Sequence, residues 1–124
     1  MNICVVGSGS WGIALSCLLF DNKHSVKVWS RNEDEVNEIN KLHTASRYLP
    51  GLEIPKEIIA TNNIEEALND TEIVILAVPS IAIRECSRMI SKFLKDQIIV
   101  NVAKGIEEKT LLTLSDKCKN AKID

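Results

Sequence analysis

Ile3-Cys4-Val5-Val6-Gly7-Ser8-Gly9-Ser10-Trp11-Gly12 is the stretch on which the fold turns. Four apolar residues bounded by glycine read as a buried strand. Behind them comes a Gly-x-Gly-x-x-Gly spacing, then a run that is apolar on most sides (Ile13, Ala14, Leu15, Leu18, Leu19, Phe20). That run predicts a helix from about Trp11 to Asp21, packed on a sheet. The glycine spacing alone is a weak signal, but between a strand and a helix start it has the setting that dinucleotide binding requires. Each glycine has its own task there. Gly7 permits the tight turn off the strand, Gly9 lets the backbone approach a pyrophosphate, and Gly12 lets the helix pack close to the strand. The helix N-terminus offers N–H donors and partial positive charge to phosphate, so Ser10 and Trp11 are expected contacts. A glycine turn without a ligand is the competing reading, and the position of the motif in the first βαβ unit counts against it.

Outward from this unit the pattern alternates. Strands are expected at Ser25 to Trp29, near Glu57 to Thr61, at Ile73 to Val78, and at Gln97 to Val102. Between them, Asn32 is suited to cap a helix carrying Val36, Ile39 and Leu42, with Glu33, Asp34 and Glu35 at its positive end. The acids from Glu33 to Glu38 read as a solvated face. A short helix is expected over Ile64 to Leu68, and another after Pro79, with Ser80 as a cap and Ile83, Cys86, Ile90 and Phe93/Leu94 as its stripe. A last helix is expected over Thr110 to Lys119. Five apolar strands separated by helices predict one α/β domain over residues 1–124, Rossmann-like and doubly wound, with a mainly parallel sheet and helices on both faces.

Ligands of such a sheet lie beyond the carboxyl ends of its strands. After the second strand, where an NAD site usually carries an acid, stands Ser30-Arg31-Asn32, with Glu33 the first acid in reach of a ribose. Arg31 can pair with a 2′-phosphate or stack on adenine, which favours NADP(H) and leaves NAD(H) open. It can also be a solvated arginine before a helix cap. Val78-Pro79-Ser80 ends the fourth strand, with the next helix's N–H groups available to the cofactor or merely capped. Lys104, after the fifth strand, would lie where a substrate phosphate or carbonyl arrives, or on the surface. Trp29 reads first as core, with the adenine site beside it. His24 and His43 have no partner at a telling spacing.

Composition narrows the function classes. A chain of 124 residues with 45% hydrophobic content can bury a respectable core. A net charge of −2 without a basic block speaks against nucleic acid or an acidic membrane surface. Cys4, Cys17, Cys86 and Cys118 form no CxxC pair and no histidine stands at ligand spacing, so no metal is expected and the setting reads as reducing and cytoplasmic. Met1-Asn2 leads straight into a strand, unlike a signal peptide, and no apolar run approaches the roughly 20 residues that cross a bilayer.

Gly7-Ser8-Gly9-Ser10-Trp11-Gly12, Tyr48-Leu49-Pro50-Gly51, Ala77-Val78-Pro79-Ser80 and Lys104-Gly105-Ile106-Glu107 stand in this order and at separations that resemble the amino-terminal domain of bacterial NAD(P)-dependent glycerol-3-phosphate dehydrogenases. The resemblance runs over nearly the whole chain. It implies an oxidoreductase that reduces dihydroxyacetone phosphate to sn-glycerol 3-phosphate for glycerophospholipid synthesis. It further implies cofactor contacts from Ser10, Trp11 and Arg31, a loop over the cleft that includes Tyr48, and a Lys104 that serves both cofactor and substrate. Two positions depart from the pattern. Ala45 replaces an Asn that would support the Tyr48 loop, and Lys23 replaces a Gly, so that Asn22 is expected to take the left-handed conformation. Family members continue into a helical domain with a second catalytic lysine, whereas this chain stops at Asp124; it is expected to bind cofactor and catalyse little or nothing. A stand-alone dinucleotide-binding regulatory module is one alternative, and a related β-hydroxyacid-type or ketopantoate-type dehydrogenase another. Leu111, Leu112 and Leu114 would leave an apolar surface, with a homodimer as one outcome.

Overall fold

A computed structural model describes residues 1–102, the side chain of Ser80 aside. The first strand, β1 (Asn2–Val6), feeds α1 (Ser10–Asp21), and β2 (Ser25–Trp29) feeds α2 (Glu33–Asn37). After a π-helical turn (Glu38–Leu42) and an irregular segment come β3 (Ile59–Thr61), α3 (Ile64–Leu68), β4 (Ile73–Leu76), α4 (Ser80–Ser91) and β5 (Ile98–Asn101). The strands pair in parallel in the order β3-β2-β1-β4-β5. The doubly wound parallel sheet predicted from the alternation is therefore present. The chain travels outward from β1 through β2 to β3, and α3 then carries it back to β4 on the other side of β1.

Strand side chains alternate between two cores, as a pleated strand requires. On one face Ile3, Val5, Val26, Val28 and Ile75 pack with Ile13 of α1 and with Val36 and Ile39. On the other, Cys4, Val6, Val74 and Leu76 pack with α3 and with Cys86 and Ile90 of α4. Burial pushes the Cys4 thiol up to about 12 and raises Cys86 as well, so both serve as small hydrophobes. Trp29 belongs to the second core, and its indole N–H donates to the Asn62 carbonyl at 3.0 Å.

Local details depart from expectation where backbone geometry decides. The left-handed residue after α1 is Lys23 (φ 71°), not Asn22. The Lys23 N–H bonds to the Phe20 carbonyl and the His24 N–H to that of Leu19, the paired bonds of a Schellman ending. Pro79 holds the N-cap position of α4 and Ser80 is its first residue, so Ser80 is not the cap. Asn32 does cap α2, accepting from the N–H groups of Asp34 and Glu35. Leu42 is 69% exposed instead of joining the stripe, because the π-helical turn before His43 (φ 58°) rotates it outward. The expected helix over Thr110 to Lys119 lies outside the described residues. No helix among the described residues is long and apolar enough to cross a membrane.

Candidate functional site

The order in which strands are added to the sheet reverses between β1 and β4, and the loops after their carboxyl ends lead to helices on opposite faces. The cleft that results has a volume of about 750 Å³. Its walls are the Gly7–Trp11 loop, the segment after β2 from Trp29 to Asn32, and Ala77 to Pro79 after β4; Ala82, Cys86, Glu35 and Tyr48 complete them.

Its floor is built by the glycines. Gly7 lies at φ 129°, and a Cβ there would stand 2.5 Å from the Ala77 carbonyl oxygen, so only glycine lets the two strand ends close on each other. A Cβ on Gly12 would meet the Gly7 carbonyl oxygen at 2.4 Å. That contact draws the first turn of α1 onto the loop. Gly9 differs: a Cβ there would meet nothing within 4 Å, because its missing side chain faces open cleft. Being glycine, the N-cap of this 12-residue helix supplies no side-chain bond. The first N–H groups of α1 have no intrahelical acceptor, and the helix dipole adds partial positive charge there. This is a cradle for an anion that approaches the backbone closely, and a pyrophosphate fits it.

Beside the cradle lies a small polar network. Ser8 Oγ donates to the Glu35 carboxylate and lies 2.8 Å from Ser30 Oγ. The Asn32 N–H donates to Ser30 Oγ at 3.1 Å. Glu35 also faces the Arg47 guanidinium at 3.8 Å, and Arg47 lies over the Tyr48 ring, 5.4 Å from its centroid. Across the mouth, Arg31 pairs with Glu85 of α4 at 3.1 Å, both side chains being well exposed. Among the described residues that line the cleft, Arg31 is the only cation.

The loop that carries Tyr48 is held by its own hydrogen bonds around Ala45. The Ala45 carbonyl accepts from the N–H groups of Tyr48 (3.1 Å) and Leu49 (2.8 Å). The Glu38 carboxylate accepts from Thr44 Oγ1 (2.6 Å) and from the Ser46 N–H (2.8 Å), and these bonds, Thr44 first, hold its carboxyl below the ordinary range.

Gly7, Gly9, Ser10, Trp11, Ser30, Arg31, Tyr48 and Pro79, all expected from sequence, line this one cleft, and Gly12 lies directly beneath it. Lys104 falls outside the described residues. Glu33 does not line the cleft; Glu35 does, and so does Ser8. The signal that could have drawn attention to Glu35 is its place three residues after the cap Asn32, where a glutamate commonly turns back toward the loop.

A family model described as the NAD-dependent glycerol-3-phosphate dehydrogenase N-terminus matches residues 2–122. Glycerol-3-phosphate dehydrogenase [NAD(P)+] of Fusobacterium nucleatum is 45% identical over 117 residues, 94% of this chain and 35% of that protein. Its namesake from Agathobacter rectalis is 46% identical over 113 residues, 90% of this chain and 34% of that protein. The chain thus spans about a third of the length of these curated relatives. In the crystal structure of the Coxiella burnetii glycerol-3-phosphate dehydrogenase, 28% identical, the match covers 96% of this chain and 37% of the other, with a TM-score of 0.74. An arogenate dehydrogenase from Synechocystis, 22% identical, covers 83% of this chain and 33% of its own at a TM-score of 0.65, and shares the fold alone. This chain belongs to the NAD-dependent glycerol-3-phosphate dehydrogenase family, by its amino-terminal domain.

Proposed function

We propose that this family member binds a nicotinamide dinucleotide in the cleft between β1 and β4, as the cofactor domain of an enzyme that reduces dihydroxyacetone phosphate to sn-glycerol 3-phosphate. The observation that carries the reading is the open cradle at Gly9, a helix N-terminus with no side chain in the way. The first-turn N–H groups at Ser10 and Trp11 hold the pyrophosphate, Ser30 and Arg31 meet the adenosine ribose, and Pro79 and Tyr48 border the remaining space. When bound, the nicotinamide supplies a hydride to the carbonyl carbon. Lys104 is assigned the substrate side, polarising the carbonyl oxygen or drawing in the phosphate. Turnover is assigned to a protein of the relatives' full length, in the cytoplasm, and the 124 residues serve as its dinucleotide-binding part, with a homodimer as the proposed assembly. The relatives' names support either dinucleotide, and Arg31 favours the phosphorylated one.

Titration of this chain with NADPH and NADH, followed by the fluorescence of Trp11 and Trp29, tests the reading, since both residues border the cleft. NADPH should bind more tightly. Arg31→Gln should weaken it about tenfold while changing NADH little, as expected for loss of one charged hydrogen-bond partner. Equal affinities in the parent chain would remove the NADP(H) preference, and no saturable binding of either would remove the function.

A further inference from the structure

One side chain in the cleft runs against the charge that a dinucleotide brings. Glu35 is the third residue of α2, three beyond its N-cap Asn32. A glutamate at that position ordinarily turns back to the N–H of the capping residue. Here that N–H is already taken by Ser30 Oγ at 3.1 Å, and the Glu35 carboxylate is released toward the cleft that it lines. It is held there by the hydroxyl of Ser8 and lies 3.5 Å from that of Ser30. Its side chain is only 16% exposed. The Arg47 guanidinium, 68% exposed and 3.8 Å away, faces its other oxygen and is well screened by solvent.

We propose that Glu35 is a specificity-determining residue of this cleft, which accepts a hydrogen bond from the free ribose hydroxyls of NAD(H) and opposes the 2′-phosphate of NADP(H). The inference rests on the dinucleotide reading above, with Ser30 and Arg31 at the ribose end. A group bonded to Ser30 Oγ lies within two hydrogen-bond lengths, about 6 Å, of the Glu35 carboxylate. Inside that radius a ribose hydroxyl can close to about 2.8 Å, the length of an O–H···O bond, and donate its proton to the carboxylate. A phosphate offers only acceptors and carries close to two negative charges, so at the same distance it is repelled. Arg31 pulls the other way, but its charge is shared with Glu85 at 3.1 Å. The cleft therefore admits both dinucleotides, and Glu35 limits the advantage that Arg31 confers on the phosphorylated one.

The test measures the ratio of NADPH to NADH affinity in the 124-residue chain, in Glu35→Gln and in Arg31→Gln. Removing the Glu35 charge should tighten NADPH about fivefold and leave NADH equal or about twofold weaker, raising the ratio by up to about tenfold. Should Glu35→Gln unfold earlier than the parent in a thermal melt, Glu35→Met, of similar length and uncharged, is read in its place. An unchanged ratio overturns the proposal, as does an equal weakening of both dinucleotides, which is what a purely positioning role would produce. If that happens while Arg31→Gln still weakens NADPH selectively, the dinucleotide reading survives; if the parent chain binds neither dinucleotide, both fall.

Discussion

Gly9 and Gly12 stand one helical turn apart and face different surroundings. A methyl group on Gly12 would press on the Gly7 carbonyl oxygen at 2.4 Å, a backbone atom fixed by the junction of β1 and β4. Gly12→Ala should therefore cost about 2 kcal/mol, the scale of overpacking a tight contact, read as a lower urea midpoint. Gly9 sits at φ −69° and ψ 179°, a conformation any residue adopts, with nothing within 4 Å of a new Cβ. Gly9→Ala should leave stability within about 0.5 kcal/mol and weaken NADPH at least tenfold, because its methyl occupies the path of the pyrophosphate. Equal stability losses in the two variants, or undiminished binding by Gly9→Ala, would contradict the assignment of these roles. The packing roles of Gly7 and Gly12 were legible in the sequence because hard-sphere contact between backbones leaves so few residues able to serve. Glu35 was not legible, and reads from spacing as one more acid on a solvated face. What sets it apart is its bond to Ser8, 27 residues away, and helical spacing carries no information about such a partner.

The segment from α2 to the Tyr48 loop is held by its own hydrogen bonds more than by regular structure. Alternation and capping signals are enough to find α2 and its cap Asn32, since both rest on local chemistry. The π-helical turn that follows is not readable in this way. It changes the side-chain spacing by one residue, leaving Ile39 buried and Leu42 exposed, and tertiary packing selects it. Lys23 is a similar case, where the Schellman ending of α1 dictates which residue turns left-handed. Glu38 lies in the π-helical turn and ties it to the loop through Thr44 and Ser46. Those bonds, the Thr44 hydroxyl first, hold its carboxyl below the ordinary value of 4.5, so the folded state favours the carboxylate. The stabilisation is complete above that value and is lost as pH falls through the lowered one. Glu38→Gln should melt below the parent chain at pH 7, and the gap should close as the melts are repeated below pH 4.5. A gap of constant size down to pH 3 would assign the effect to packing instead.

The cleft draws on β1, β2 and β4 at once, and these strands sit at the centre of a sheet with a core on each face. A ligand held there touches the parts of the chain that come apart last, and its binding should couple to global unfolding instead of to a local fray. A compound that binds only the folded state at one hundred times its dissociation constant stabilises it by about 2.7 kcal/mol. For a domain of this size that corresponds to a rise in melting temperature of roughly 10 °C. NADPH should produce such a rise in the 124-residue chain, and the increment should grow with the logarithm of its concentration. Hydrogen exchange provides the finer measurement. Amides of β1, β2 and β4 should slow together, although β2 and β4 lie on opposite sides of β1. Protection confined to the first turn of α1 would mean that the nucleotide rests on the helix terminus without joining the strand ends. Such a cleft would hold a phosphate and could not position a nicotinamide, because the far wall, from Ala77 to Pro79, would take no part in binding.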